Sequence, residues 1–491
     1  MKRIILSFFS SLLFVWVYAQ DPAFSFGDPI SRPAGQTEVQ LLGHTPQGYF
    51  SVNKIAPSGA MQFSPTIIVE YINNKQEQVF SQNLTVQTLE DYVNVVYFNN
   101  TLYLLKALFS KDAGKNVLTA EPIGRDGSGG KAIEIGMLPA EKLAKRGLFY
   151  ATASPDGSKL LVLSQPEFVK GENEKITITL YGNGGFSKIW QSEQTFPYEW
   201  TRAVQNTPSV NNNGTAFLLK KTDMKGDDNT FSIFSFDGKA LKEHKIALDG
   251  KKKVHTIVSA FNTAGDFTAG GYYTEDAKVK LGFGTALHGS FLWQVDATGA
   301  NAKISAINPF EKRKDIIAKS IVFSGDKNIL LGEWYYVNAK SASRPGDMFA
   351  KDYTYSGNDV IIDGFDAAGK SLYAASIKKR NESVNDNGGM VSYFASVIKG
   401  KIYIIFNDDK YNHDGKKNII VFGSNKIVVY ATVDPVTGAV TETKPVGFTG
   451  PVGDKGGDML LRPDVFIKGD DTHYMIRAEN RSAYRMGAVS F

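Results

Sequence analysis

The densest set of oxygen ligands in the chain is Asp408, Asp409, Asn412 and Asp414, followed by Gly415. Such donors suit a calcium loop, but the Asp-x-Asn-x-Asp-Gly register fails because Lys410 occupies its first position. The run reads instead as an acidic polar loop without metal, and Asp223, Asp227, Asp228 and Asn229 form a weaker copy. None of the six histidines stands in a His-Glu-x-x-His arrangement, which would place two zinc ligands on one helical face. His44 reads as an ordinary loop or strand residue. With no cysteine, thiolate catalysis, disulfides, Cys-based metal sites and a lipid-modified N-terminal cysteine are all excluded. His288-Gly289-Ser290 is not a nucleophile elbow, and Gly127-Ser128-Gly129-Gly130 closes a hairpin rather than cradling a phosphate. No cofactor is expected. Glu333, Asp347 and Asp352 are carboxylates that could serve a glycosidase, but that chemistry needs two carboxyls at a defined separation.

A different chemistry, protein contact, is better represented. Tyr272, Tyr273, Glu275 and His288 fall in one region, Trp334, Tyr335, Tyr336, Arg344, Asp347 and Tyr353 in a second, and Asp408, Asp409 and Tyr411 in a third. Tyr, Trp and Arg are enriched at contact centres because each covers much area and still offers a donor. Taken singly, each aromatic is more readily explained as core packing; taken together, they are the candidate partner-binding surface.

These residues sit on a repeated framework. Short apolar runs break at Gly, Asn or Asp and resume, with turns at Gly48, Asn100, Gly157, Gly214, Gly265, Gly325, Gly400 and Gly469. A second turn follows in each unit: Asn73-Asn74, Asp126-Gly127, Asn183-Gly184, Asp237-Gly238, and those ending at Gly299, Gly369 and Gly438. Two hairpins per unit make four strands, and a repeat of roughly 50 to 75 residues cannot bury its own faces alone. The expectation is an all-β propeller of four-stranded antiparallel blades, eight or alternatively seven, filling residues 20–491. The last unit offers only three strands, so the segment around Phe24-Ser25-Phe26-Gly27 is expected to supply the fourth and close the ring.

Ser154-Pro155-Asp156-Gly157-Ser158-Lys159, leading into Leu160-Leu161-Val162-Leu163, resembles the blade motif of TolB-like and WD40-like propellers of bacterial periplasms. Val210–Leu219 and Phe323–Leu331 are degenerate copies. The resemblance implies architecture alone, since those families hold docking modules, lyases and gating domains of peptidases.

The spacing between the two turns also locates growth. It is about 25 residues in the first four units and about 34, 44 and 38 in the next three. In an up-and-down blade the added residues enter the connections from second to third strand, which share one pole with the crossings between blades. The loops bearing the contact residues, joined by the crossing at 382–387, are thus expected on one face.

Met1-Lys2-Arg3, an apolar stretch over 4–17 and Val17-Tyr18-Ala19 before Gln20 read as a cleavable signal peptide, residues 1–19. No later segment has transmembrane length. Losing Lys2 and Arg3 brings the formal charge from +5 to +3, too little to suggest nucleic acid, and the basic runs Lys251–Lys253 and Lys378–Arg380 read as solvated faces. Frequent Asn, Lys and Tyr after a bare leader resemble exported proteins of the Bacteroidetes, which implies a periplasmic cap or plug subunit of an outer-membrane secretion or transport machine. No sorting domain follows the last unit, so secretion beyond the periplasm is the lesser expectation. The alternative class is a glycan-binding or glycan-active propeller.

Overall fold

The computed structural model describes residues 21–55, 65–87, 89–182, 184–199, 206–222, 230–276, 284–341, 351–413, 426–446, 459–480 and 482–491. Its strands form eight antiparallel sheets. Blades 1 to 7 each use four consecutive strands in simple order and span 36–85, 90–139, 148–199, 206–245, 253–314, 316–384 and 393–446. Blade 8 takes three strands from 460–490 and its fourth, Ala23–Phe26, from the other end of the chain. The blade number is therefore eight, and the expected closure holds: Ala23 pairs with Ser490 and Phe26 with Gly487. First strands of neighbouring blades touch one another around most of the ring, so they line the axis.

The blade motif in blade 3 shows why those residues make the turn. The Ser154 hydroxyl donates to Asp156 Oδ1 at 2.6 Å and accepts the Lys159 N–H at 3.0 Å, while Asp156 Oδ1 also accepts the Ser158 N–H at 2.9 Å. Gly157 then takes φ of 68°, a conformation that side-chain-bearing residues disfavour. The turn at Gly469 is built differently: there Asp470 Oδ1 accepts the N–H groups of Thr472 and His473 at 2.7 and 2.9 Å.

Second strands are buried on both faces, and residue alternation sends their side chains to opposite seams. In Leu160–Gln165, Leu160 and Val162 pack against blade 2 while Leu161 and Leu163 pack against blade 4. Repeating this around the ring yields one apolar cluster at every junction, including the one between blades 8 and 1. Each fully buried Leu, Ile or Phe contributes roughly 1.5–3 kcal/mol, which makes the seams the main source of cohesion.

The closing seam adds charge. Arg477, fully buried, donates to Glu479 at 2.9 Å, Asn53 at 2.7 Å and Gln36 at 2.9 Å, and lies 3.7 Å from the centre of the Tyr484 ring. Glu479 also accepts from Arg462 at 2.9 Å and pairs with Arg32 at 3.4 Å. Glu70 of blade 1 accepts from Asn53 at 2.8 Å and from the Tyr484 hydroxyl of blade 8. At the opposite side of the docked strand, Phe24 enters the cluster between blades 7 and 8, and Asp21 accepts from the Tyr430 hydroxyl at 2.5 Å.

Candidate docking face

All first strands run the same way along the axis, so second-to-third connections and blade crossings gather at one pole. The strands that flank the enlarged connections of blades 5, 6 and 7 end at that pole. In blade 6 the described added residues extend the hairpin. Its second and third strands, Lys327–Ser341 and Lys351–Phe365, are 15 residues each, whereas the corresponding second strands of blades 1 and 3 have 8 and 6. After one bulge between Glu333 and Tyr335 they stay paired out to Ser341 opposite Lys351. The first strand of the blade stops at Ile316 opposite Trp334, and the fourth follows as far as Val384 opposite Thr354. The result is a projecting arm.

Alternation assigns the arm's side chains. Trp334 and Tyr336 share one face, with ring centres 6.2 Å apart. Tyr335, Val337, Tyr353 and Tyr355 fall on the other face. Trp334 and Tyr353 are 39% and 40% exposed, unusual for large aromatics. Tyr335 is half-buried beneath Lys319, whose Nζ lies 4.7 Å from the ring centre, and burial with the nearby Glu333 charge raises its hydroxyl pKa.

The other candidates distribute unevenly. Tyr272 and Tyr273 are fully buried on the second strand of blade 5, Tyr272 toward blade 6 and Tyr273 toward blade 4, so they supply core and no exposed surface. Burial raises both hydroxyl pKa values. Glu275 is exposed at the strand's end and donates its N–H to His288 Nδ1 at 3.1 Å, which ties two candidates to one hairpin. Asp408 is buried, with its carboxylate accepting from Arg380 N at 2.8 Å, Asp409 N at 2.8 Å, Asn412 Nδ2 at 2.7 Å and His413 Nε2 at 2.8 Å. It is a structural acceptor for the chain's own donors. Asp409 is half-buried beside it. Tyr411 lies in the short 3-10 turn Lys410–Asn412, while Arg344 and Asp347 lie outside the described residues.

The crossing from blade 6 to blade 7 reaches further than its sequence suggests. Asn385, Asn387 and Gly388 adopt positive φ, and buried Asp386 secures the bend by accepting from Ser383, Gly388 N and Met390 N at 2.7, 3.0 and 2.9 Å. Asn387 Nδ2 then donates to the Thr37 carbonyl of blade 1 at 2.7 Å. Gly389 lies so close to Arg462 of blade 8 that an added Cβ would stand 2.4 Å from the guanidinium. Asn407 of blade 7 donates to both Met390 O and Leu461 O, at 2.9 and 2.8 Å. The crossing thus bridges one mouth of the axial channel. Beneath it lies a buried ion pair, Glu333 with Lys379, whose ammonium also donates to Val391 O. Burial pulls the Lys379 pKa down, opposed by the Glu333 charge. Glu333, a candidate for glycoside chemistry, is therefore partnered with cations, Lys319 being 3.4 Å away.

At the opposite mouth a cleft of about 480 Å³ opens among blades 8, 1, 2 and 3, with Gln40, His44, Tyr97, Thr152, Asp156 and Lys468 in its wall. Carboxylates on the described innermost strands are Glu38, Glu90, Asp91 and Asp464. Each is ion-paired: Glu38 with Lys54 at 3.3 Å, Glu90 with Lys106 at 3.3 Å, Asp91 with Arg146 at 2.5 Å and Asp464 with Arg462 at 2.8 Å.

Sequence reasoning passed over two features of this face. The crossing was expected at 382–387, but its continuation through Gly388–Val391 across the axis was not, and it gives only a weak signal, a cluster of Asn, Asp and Gly after a strand. The run Glu311-Lys312-Arg313-Lys314 at the foot of the arm is visible in the sequence as a charge cluster, but its position beside the arm is not.

No family model matches this chain, and no curated protein matches it in sequence. Among solved structures it is similar to the WD40 domain of SCAP from fission yeast, with TM-score 0.39 and 7% identity over 96% of this chain and 98% of that one. It is also similar to the acylaminoacyl peptidase of Pyrococcus horikoshii, with TM-score 0.36 and 8% identity, covering 92% of this chain and 58% of the peptidase. A third is the Synechocystis apocarotenoid oxygenase, with TM-score 0.33 and 9% identity over 85% of this chain and 93% of the oxygenase.

Proposed function

We propose that the chain is an exported, non-catalytic interaction module of the TolB-like or WD40-like kind, docking through its connection face onto a protein partner. The setting that fits the N-terminal leader is the periplasm, with the module acting as a cap or plug subunit of an outer-membrane secretion or transport machine. The observation that carries the reading is the blade 6 arm, which projects from the ring with Trp334 and Tyr353 exposed. Exposed aromatics held on rigid strands, one on each face of the arm, present contact area without the ordering cost of a loop. Two further features favour docking over glycan hydrolysis. The carboxylates of the described innermost strands are neutralised by Lys or Arg, and the axial mouth beneath the arm is bridged by the chain itself.

The test is affinity capture from detergent-solubilised envelopes of the source organism, using the mature protein as bait. Wild type should retain an outer-membrane protein, and Trp334→Ala with Tyr353→Ala should lose it while melting normally. Retention on immobilised polysaccharide with no protein captured would favour the glycan reading instead. N-terminal sequencing of the exported protein tests the leader: a start at Gln20 supports cleavage and export, and an intact leader overturns it.

A further inference from the structure

The arm has an open edge. Tyr335 donates its N–H to the Asp315 carbonyl at 2.8 Å, on the side away from the third strand. In an antiparallel strand the N–H and C=O of one residue point to the same side and alternate with the next. The main-chain groups of Val337, Ala339 and Ser341 therefore point to that same side, beyond the last residue of the first strand. Among the described residues, no strand pairs with these outward groups and no turn or loop hydrogen bond involves them. In blade 7 the second strand also runs past the first, but only by Asn407–Asp409.

Charge surrounds this edge. Lys312 and Lys314 end the blade 5 strand that leads, through Asp315, into the foot of the arm, and Lys340 and Lys351 stand at its tip. All four are exposed, and none forms an ion pair among the described residues. Arg313 between them lies over the Phe310 ring at 4.8 Å. Exposed Val337 lies along the strand between the two basic groups.

We infer that the edge Val337–Ser341 is a β-addition site for an extended, acidic segment of the partner protein. Main-chain pairing would supply affinity, and the four lysines would select acidic side chains, as in other strand-addition modes. About five residues of extended chain, roughly 17 Å, match the open stretch. Lys340 alone could simply blunt the edge against aggregation. It does not account for unpaired lysines at both foot and tip. The inference rests on the docking reading and names the recognition chemistry on the same face.

The probe is a labelled seven-residue peptide of alternating glutamate and valine, titrated by fluorescence anisotropy at low salt against the mature protein. Sub-millimolar binding is expected, with at least tenfold weaker binding of the lysine counterpart. Ala339→Pro removes one outward donor at an edge position where proline is tolerated, and should weaken binding at least tenfold, while Ala339→Ser keeps the donor and the affinity. Lys312→Glu combined with Lys314→Glu should weaken it similarly. Equal binding of both peptides, no binding, or full binding by Ala339→Pro with an unchanged melt overturns the edge site. Envelope capture that survives Ala339→Pro would also overturn it and leave docking standing, whereas capture absent in wild type counts against docking itself.

Discussion

Asp363 offers a quantitative check on how the blades are packed. It lies on the third strand of blade 6 with 4% exposure, near Tyr272 of blade 5. The Tyr272 hydroxyl and the Arg313 charge both act to keep the carboxyl ionised. Burial outweighs both and raises the carboxyl pKa from 3.8 to about 6. Below 3.8 the group is protonated folded or unfolded. Between that value and about 6 the folded chain keeps a proton that the unfolded chain has released, so stability falls as pH rises and the loss is complete above about pH 7. At 1.36 kcal/mol per pH unit, the displacement amounts to ~3 kcal/mol. Asp363→Asn keeps the shape and removes the charge. It should match wild type near pH 4 and exceed it by up to ~3 kcal/mol at pH 8. With an unfolding entropy of about 2 cal/mol/K per residue, that gain corresponds to a rise of about 3 °C in Tm for a chain of this length. Thermal and urea melts of both proteins at pH 4 and 8 measure the difference. A variant no more stable than wild type at pH 8, or one equally stabilised at both pH values, would refute a carboxyl whose burial between blades 5 and 6 outweighs its partners.

The closing strand should be tested by Phe24→Ala, expected to lose ~3–5 kcal/mol and to speed amide exchange at residues 487–490; unchanged exchange there would contradict its role. Arg477→Met should cost about 3–5 kcal/mol, because it leaves Glu479 and its neighbours short of a buried cation. A double-mutant cycle with Glu479→Gln should show coupling above about 1 kcal/mol, and additivity would disprove the network. Arg477, Arg462 and Arg32 together hold the Glu479 pKa below its ordinary 4.5, against the opposing effect of burial. The stability this supplies is present above that value and is lost as pH falls through the folded pKa, so Glu479→Gln should flatten the acid limb of the stability curve. For the docking face, Trp334→Ala or Tyr353→Ala should weaken partner binding about 30-fold, or ~2 kcal/mol, with Tm within a few degrees of wild type; unchanged affinity in both would move the contact elsewhere.

The ring itself was legible because hairpin turns need particular residues. Asn99 and Asn100 take φ of 47° and 60°, and Gly157, Gly214 and Gly438 are likewise positive, so turn chemistry marked the blades directly. Closure was legible from a deficit, three strands where four were due, and Phe24 supplied the missing one. The aromatic candidates were less transparent. Tyr272 and Tyr273 point to opposite seams of a strand buried on both faces, and such a strand carries no polar alternation to say which aromatic is core. Blade 6 showed extra length, but length does not reveal whether added residues pair; Ser341 opposite Lys351 shows that they do. The closing network was hidden by separation, since Arg477 and Asn53 are 424 residues apart, and the bridge from Asn387 to Thr37 spans 350.

Rotational repetition makes a ring, and function has to enter through departures from it. Three departures meet at one pole: the arm of blade 6, the crossing that bridges the axis, and the lysines left unpaired beside the arm. They are mechanically connected. Tyr353 N–H donates to Asn385 Oδ1 at 2.9 Å, Tyr355 hydroxyl donates to Asn387 Oδ1 at 3.4 Å, and Asn387 in turn reaches blade 1. A partner that loads the arm therefore pushes on the crossing and, through Thr37, on the blade adjoining the closing seam. The arm is held at its foot by its own blade and braced across the axial mouth by blade 1, three blades further round. Such bracing limits the ordering cost of binding, which is where an exposed two-stranded tip would otherwise lose affinity.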